Sequence, residues 1–208
     1  RGDIYSNSVK PSYTIHNRLV SAVNGSAFKI GGNVFLQTGM LSLYYMTFED
    51  GAHIQMSGGT QLNYENKQTF KSGSRITADG IGMSVTGSAN SYGDGVIFTI
   101  KGDNSTSNTA LTFASSTQTT FEAGSILNLN SARVVASNSS DALTGGITMK
   151  GTLNTYGNSR LVTEHGTVRT IYDGATVNVN TGKFAIKGGT FTGTTINVKA
   201  GATISNEN

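Results

Sequence analysis

FEDGAHIQM, at Phe48–Met56, returns four more times along the chain: FKSGSRITA at Phe70–Ala78, FEAGSILNL at Phe121–Leu129, IYDGATVNV at Ile171–Val179 and VKAGATISN at Val198–Asn206. Each copy runs as an apolar residue, two variable residues, a glycine, Ala or Ser, and then an alternating segment. The glycines are Gly51, Gly73, Gly124, Gly174 and Gly201, separated by 22, 51, 50 and 27 residues. Two of these intervals are close to twice the others. A period of roughly 22–27 residues with degenerate copies points to a solenoid.

The alternation gives each copy its local structure. Ala52, Ile54 and Met56 are small or apolar, as are Ala175, Val177 and Val179, while His53 and Gln55, Arg75 and Thr77, Thr176 and Asn178, and Thr203 and Ser205 are polar. Period two describes a strand with one face buried. Ile126, on the outward count, and Asn206, on the inward one, are the exceptions. The glycine before each strand suits a tight corner with positive φ, which a side chain would obstruct. A second phrase, a strand running into glycine, recurs as FKIGGN at Phe28, FTIKGDN at Phe98, ITMKGTLN at Ile147 and FAIKGGTF at Phe184. The expected fold is therefore all-β: a right-handed parallel β-helix of about nine coils, on the order of 40 Å long at ~4.8 Å per coil. Phe48, Phe70 and Phe121 share one offset and read as an inward stack.

Composition agrees. The 208 residues include 27 Gly, one Pro, no Cys and no Trp, and only 13% are charged. Few charges, many β-branched residues and almost no proline favour long strand ladders over helices. Only 17–24 and 131–136 offer short helical candidates. A 36% hydrophobic content is modest for a globe, yet it suffices for a narrow solenoid core. Without cysteine there is no disulfide or thiol chemistry, which fits exported bacterial proteins better than small stapled modules. No apolar run approaches the ~18 residues of a membrane span. The +3 charge is spread over scattered Lys and Arg, without the dense basic stripe that nucleic acid requires. The whole chain, 1–208, reads as one domain, with 1–25 as a cap or irregular leader.

Three segments rich in Gly, Ser and Asn interrupt the pattern: 84–95, 103–108 and 137–146. They read as loops on the coils, where solenoids carry binding functions. The candidate binding residues are Ser84, Asn90, Tyr92, Asp94, Asn104, Asn138 and Asp141. A catalytic reading finds less support. Carbohydrate-active β-helices need converging carboxylates, and here the only adjacent acids, Glu49 and Asp50, sit in a variable corner. His16, His53 and His165 lack the spacing of a metal site. The sequence thus offers no catalytic, cofactor or metal residues. Gly93–Gly95 is a single GDG, not a calcium-roll repeat, and the outward threonines are too interrupted for an ice-binding array. The RGD at Arg1–Asp3 and the sequons at Asn24, Asn104 and Asn138 are matches expected by chance in such a chain.

The phrases FEDGAHIQM, FEAGSILNL, IYDGATVNV and VKAGATISN resemble coils in the passenger regions of bacterial autotransporters and related surface adhesins. That resemblance, over 28–208, implies a right-handed parallel β-helix that is part of a longer passenger. It implies display on the bacterial surface or secretion, with a host-cell or neighbouring-cell surface protein or glycan as partner. The expected function is a non-catalytic adhesin or scaffold rod for adhesion or self-association. A carbohydrate-active lyase or hydrolase and a self-assembling filament subunit are the alternatives.

Overall fold

The computed structural model describes residues 12–15, 19–21, 28–43, 46–65, 68–88, 90–105, 107–115, 118–137, 146–163 and 169–207. The described residues form strands, turns and bends, with no helix. Every third strand joins the same sheet, and neighbours pair in parallel. The first sheet is nine strands deep, from Ser12–Ile15 to Thr195–Val198, and the second is equally deep, from Leu19–Ser21 to Thr203–Glu207. The third face is divided. Phe28–Ile30, Met46–Phe48 and Thr69–Phe70 make a three-stranded sheet, and Ser91–Tyr92 through Gly189–Thr192 a five-stranded one. This is a parallel β-solenoid.

Coil length varies more than the phrase indicated. Val177 pairs with Ile196 across a short coil, whereas Phe98 pairs with Leu127 across a coil half as long again. The segment 1–25, expected to be a cap or irregular leader, already contains the strands Ser12–Ile15 and Leu19–Ser21, paired with Asn33–Leu36 and Met40–Leu43. The second short helical candidate is instead the strand Arg133–Ser137.

The five phrase glycines all have the left-handed backbone expected of corners, with φ of 72°, 82°, 80°, 67° and 79° for Gly51, Gly73, Gly124, Gly174 and Gly201. The long interval between Gly73 and Gly124 closes once one further copy is added. The Gly73 N–H donates to the Gly95 carbonyl (3.0 Å), and the Gly95 N–H to that of Gly124 (3.1 Å), so Gly95 is the missing corner between Gly73 and Gly124. Between Gly124 and Gly174 the corner is shorter, and Gly151 takes the register place of Ser125: its carbonyl accepts from the Thr176 N–H (3.1 Å) as that of Ser125 accepts from the Thr152 N–H (2.9 Å).

One expectation needs correcting. The first four phrases turn from the third face into the first sheet, but Gly201 lies between Thr195–Val198 of the first sheet and Thr203–Glu207 of the second. The fifth phrase therefore turns a different corner, where the Thr203 N–H donates to the Gly182 carbonyl (2.9 Å). The second phrase is equally indifferent to position. Gly102 leads from the first sheet to the second, Gly151 from the third face to the first sheet, and Gly188 from the second sheet to the third face.

At these corners the cost of a side chain differs. A Cβ at Gly201 (φ +79°) meets nothing within 4 Å, whereas one at Gly182 (φ +71°) runs into the Gly157 carbonyl. Gly201→Ala is expected to cost roughly 1–2 kcal/mol, the left-handed penalty alone. Gly182→Ala should cost measurably more, about 2–3 kcal/mol, because rigid backbone is in the way. Urea unfolding of the two variants side by side checks the order.

The core is a set of inward ladders. Phe48 stacks on Phe70 at 4.7 Å and 7°, and Tyr92 stands 5.2 Å from Phe70 and 4.9 Å from Phe121. Met149, Tyr172 and Phe191 continue the column in register, with Tyr172 and Phe191 stacked at 4.5 Å. The expected aromatic stack is present, and Tyr92 fills the place between Phe70 and Phe121. Inward aliphatics alongside it, such as Ile54, Ile76, Leu127, Leu153 and Val177, are at most 1% exposed.

Where the third face is divided, side-chain amides replace the missing ladder bonds. Gln68 accepts from the Met46 N–H (2.7 Å) and donates to the Leu43 carbonyl (3.1 Å). The Asn90 side-chain oxygen accepts from the Gln68 N–H (3.3 Å), and its main-chain carbonyl accepts from Thr120 (2.9 Å). Both residues are buried. The hydroxyls of Tyr64 and Tyr92 meet nearby at 3.0 Å, and burial pushes both well above the ordinary tyrosine pKa, so they remain protonated.

Candidate functional site

The outward face of the first sheet carries the most ordered polar surface among the described residues. Strand alternation aims one residue in two outward, and parallel register stacks equivalent positions a coil step apart, ~4.8 Å. The column Thr77, Thr99, Asn128, Asn154, Asn178 and Asn197 follows from the pairing. Its side chains are hydrogen-bonded along the axis. Asn197 donates to Asn178 (2.9 Å), Asn178 to Asn154 (2.9 Å), Asn154 to Asn128 (3.0 Å) and Asn128 to Thr99 (3.2 Å). Such amide ladders are a recurrent means of fixing parallel in-register strands. The adjacent column ends in Thr152, Thr176 and Thr195. The result is a preorganised, uncharged strip of amides and hydroxyls.

The strip was partly legible. Asn128 and Asn178 sit in two copies of the phrase, and Asn154 and Asn197 lie outside it. The tripeptide pattern Thr-x-Asn at Thr152–Asn154, Thr176–Asn178 and Thr195–Asn197 is the signal that could have found the rest.

At the other end of this face, His53 Nε2 lies 2.8 Å from Thr77 Oγ1. Partial burial, then the neighbouring Arg75 guanidinium, hold His53 below its ordinary value of 6.5. The unfolded chain therefore binds this proton more readily. Stability should be flat above about pH 6.5 and should decline as the pH falls through the lower folded pKa. Asn33 and Arg75 flank His53 in the ladder, and neither is acidic. His53→Gln should remove this part of the decline in a melting-temperature series from about pH 8 to about pH 5.

The candidate loop residues occupy very different places. Ser84 is within the strand Met83–Gly87, half-buried, with its N–H on the Thr60 carbonyl (3.0 Å). Asn90 and Tyr92 are buried at 3% and 0% exposure, in the brace and the aromatic ladder. The reading of 84–95 as one protruding loop is thus corrected: the segment contains strand residues on two faces, and Tyr92 faces the core because its ring completes an inward column. Asp94 is exposed at the Gly95 corner. Asn104 has φ 64° and is tied to two further coils, donating from its N–H to the Ser131 carbonyl (3.0 Å) and accepting from the Asn158 N–H (3.4 Å). Asp103 holds the same corner by accepting from the Asn108 amide (2.7 Å) and the Ser105 N–H (3.0 Å), bonds that keep its carboxyl below the usual range. Asn138 and Asp141 lie outside the described residues.

Charged groups form scattered pairs. Glu49 meets Lys71 at 2.5 Å, Asp79 meets Lys101 at 2.8 Å and Glu122 meets Lys150 at 3.3 Å. Glu207 is shared by Arg160 and Lys183 across a small cleft on the second sheet. Exposed pairs of this kind contribute about 0–1 kcal/mol each. Among the described residues no three of His, Cys, Asp and Glu gather as a metal site, and no helix is long and apolar enough to cross a membrane.

Set against protein families, curated proteins and solved structures, the chain shows no match to any.

Proposed function

We propose that this chain is a non-catalytic rod of a surface-displayed or secreted bacterial adhesin, making contact through the outward face of its first sheet. The observation that carries this reading is the hydrogen-bonded column Thr99, Asn128, Asn154, Asn178 and Asn197. Side chains already held by one another lose little freedom on binding, which lowers the cost of association. An uncharged strip repeating at the coil step suits repeated weak contacts with a glycan or protein on a neighbouring cell. The likeness of the phrase to autotransporter passenger coils supports the same reading.

Its test is adhesion of protein-coated beads to epithelial and bacterial cells, with bare beads as the reference. Cell binding supports the proposal. The absence of binding to either, together with release of new reducing ends from pectin, alginate or chondroitin, would establish the carbohydrate-active alternative instead.

A further inference from the structure

The edge of this same outward face carries a more specific feature. Asp79, Lys101, Asn130 and Tyr156 form a column beside the amide ladder, near the corner into the second sheet. Thr99, Asn128, Asn130 and Tyr156 line an open groove of about 480 Å³. That volume lies in the range of small-ligand clefts, ~300–1,000 Å³. Tyr156 is 41% exposed, unlike the buried ring of Tyr92 or Tyr172.

The polar groups of the groove have capacity left. Asn128 donates one N–H to Thr99 and accepts once from Asn154. An amide has two N–H donors and a carbonyl with two lone pairs, so a further donor and acceptor remain on Asn128. At the groove wall the Asn130 side-chain oxygen is buried without a protein hydrogen bond. A buried acceptor left without a donor is costly, and small rearrangement toward a hydroxyl would relieve it. The charged neighbour Lys101 is engaged by Asp79 at 2.8 Å, so among the described residues the groove presents no free cation to an acidic group.

A ligand matching these features has one apolar face and several hydroxyls at its edge, and carries no charge. We propose that this groove binds a neutral sugar ring, its C–H face on Tyr156 and its hydroxyls on Asn128, Asn130 and Thr99. Binding of this kind makes Tyr156 the anchor and the amides the specificity elements. A purely apolar ligand would leave the amides unsatisfied, and an acidic sugar would bring an uncompensated carboxylate. The repeat of an extended neutral glycan is similar in length to the coil step, so successive rings of a chain would follow the ladder towards Asn154. The proposal rests on the adhesin reading and names its ligand class.

The test uses the full chain and a panel of neutral trisaccharides, maltotriose, cellotriose, mannotriose and chitotriose, with trigalacturonate as the acidic counterpart. Saturation-transfer NMR detects binding and calorimetry measures it. At least one neutral trisaccharide should bind. Tyr156→Ala should weaken that binding roughly tenfold, the loss of an aromatic contact, while Tyr156→Phe keeps it. Both variants should melt with the wild type because the ring is exposed. Tyr156→Gln gives a second ring deletion should alanine disturb the fold. Failure of every neutral trisaccharide to bind, tighter binding of trigalacturonate, or full binding by Tyr156→Ala and Tyr156→Gln overturns the proposal. Bead adhesion separates the two levels: cell binding that survives Tyr156→Ala overturns the sugar groove and leaves the adhesin reading standing. Trisaccharide binding by a protein whose beads adhere to no cell removes the adhesin reading alone.

Discussion

Tyr92→Ala is expected to lower the unfolding free energy by about 3–5 kcal/mol, the usual cost of emptying a large aromatic site in a close-packed interior. The ring lies between Phe70 and Phe121 in the inward column and is 0% exposed. Its removal opens a cavity in a stack whose neighbours are held in place by strand register. It also leaves the Tyr64 hydroxyl, now 3.0 Å from that of Tyr92, without this partner. Tyr92→Phe retains the ring and loses only the hydroxyl contact, so about 1–3 kcal/mol is expected. Urea unfolding followed by circular dichroism measures both. A Tyr92→Ala protein as stable as the wild type would mean that 84–95 is a surface loop after all.

Gln68→Leu should be comparably damaging, at about 2–6 kcal/mol, the sum of two buried polar groups losing their partner. Leucine fills similar space but can neither accept from the Met46 N–H nor donate to the Leu43 carbonyl. Those groups, which Gln68 now bonds at 2.7 and 3.1 Å, are then left in a buried region. Each orphaned buried group costs roughly 1–3 kcal/mol. An outward amide should behave differently. Asn154→Ala also removes two side-chain hydrogen bonds, to Asn128 and Asn178, but water can replace them on the outward face. A loss of only about 1 kcal/mol is expected there. If Gln68→Leu and Asn154→Ala prove equally mild, the amide brace at the division of the third face is not the support described above.

The solenoid was readable because its corners demand a residue that nothing else replaces cheaply. Gly51, Gly73, Gly124 and Gly174 all turn the chain at positive φ into the same sheet. The alternation after each of them separates the inward from the outward set correctly, including Ile126 as a half-buried outward residue. What the sequence could not reveal is which corner a phrase serves. Gly201 heads the same motif and turns into the second sheet, because a left-handed glycine before an alternating strand is needed at any sharp corner.

Composition misled where polar residues are used inside. Segment 84–95 is rich in Ser, Gly and Asn, the usual composition of loops. Asn90 nonetheless bonds the Gln68 backbone in the interior, and Tyr92 is a core ring. A stack of parallel strands supplies inward neighbours from adjacent coils, far off along the chain, as Phe98 and Leu127 illustrate. A local reading cannot see those partners. The same holds for the groove at Tyr156, whose lining comes from three different strands of the first sheet.

The stacking itself can be tested directly because the chain has no native cysteine. Asn154 and Asn178 are register partners with hydrogen-bonded side chains. Adjacent parallel strands stand ~4.8 Å apart, within the ~4.4–6.8 Å that a disulfide bridges. The measurement is the yield of intramolecular disulfide on mild oxidation of Asn154→Cys/Asn178→Cys, compared with Asn154→Cys/Asn197→Cys, whose positions lie two coils apart. Near-complete closure of the first pair and little of the second is the expected result. Equal yields, or closure of the second pair alone, would contradict the parallel register on which the core, the polar strip and the sugar groove all depend.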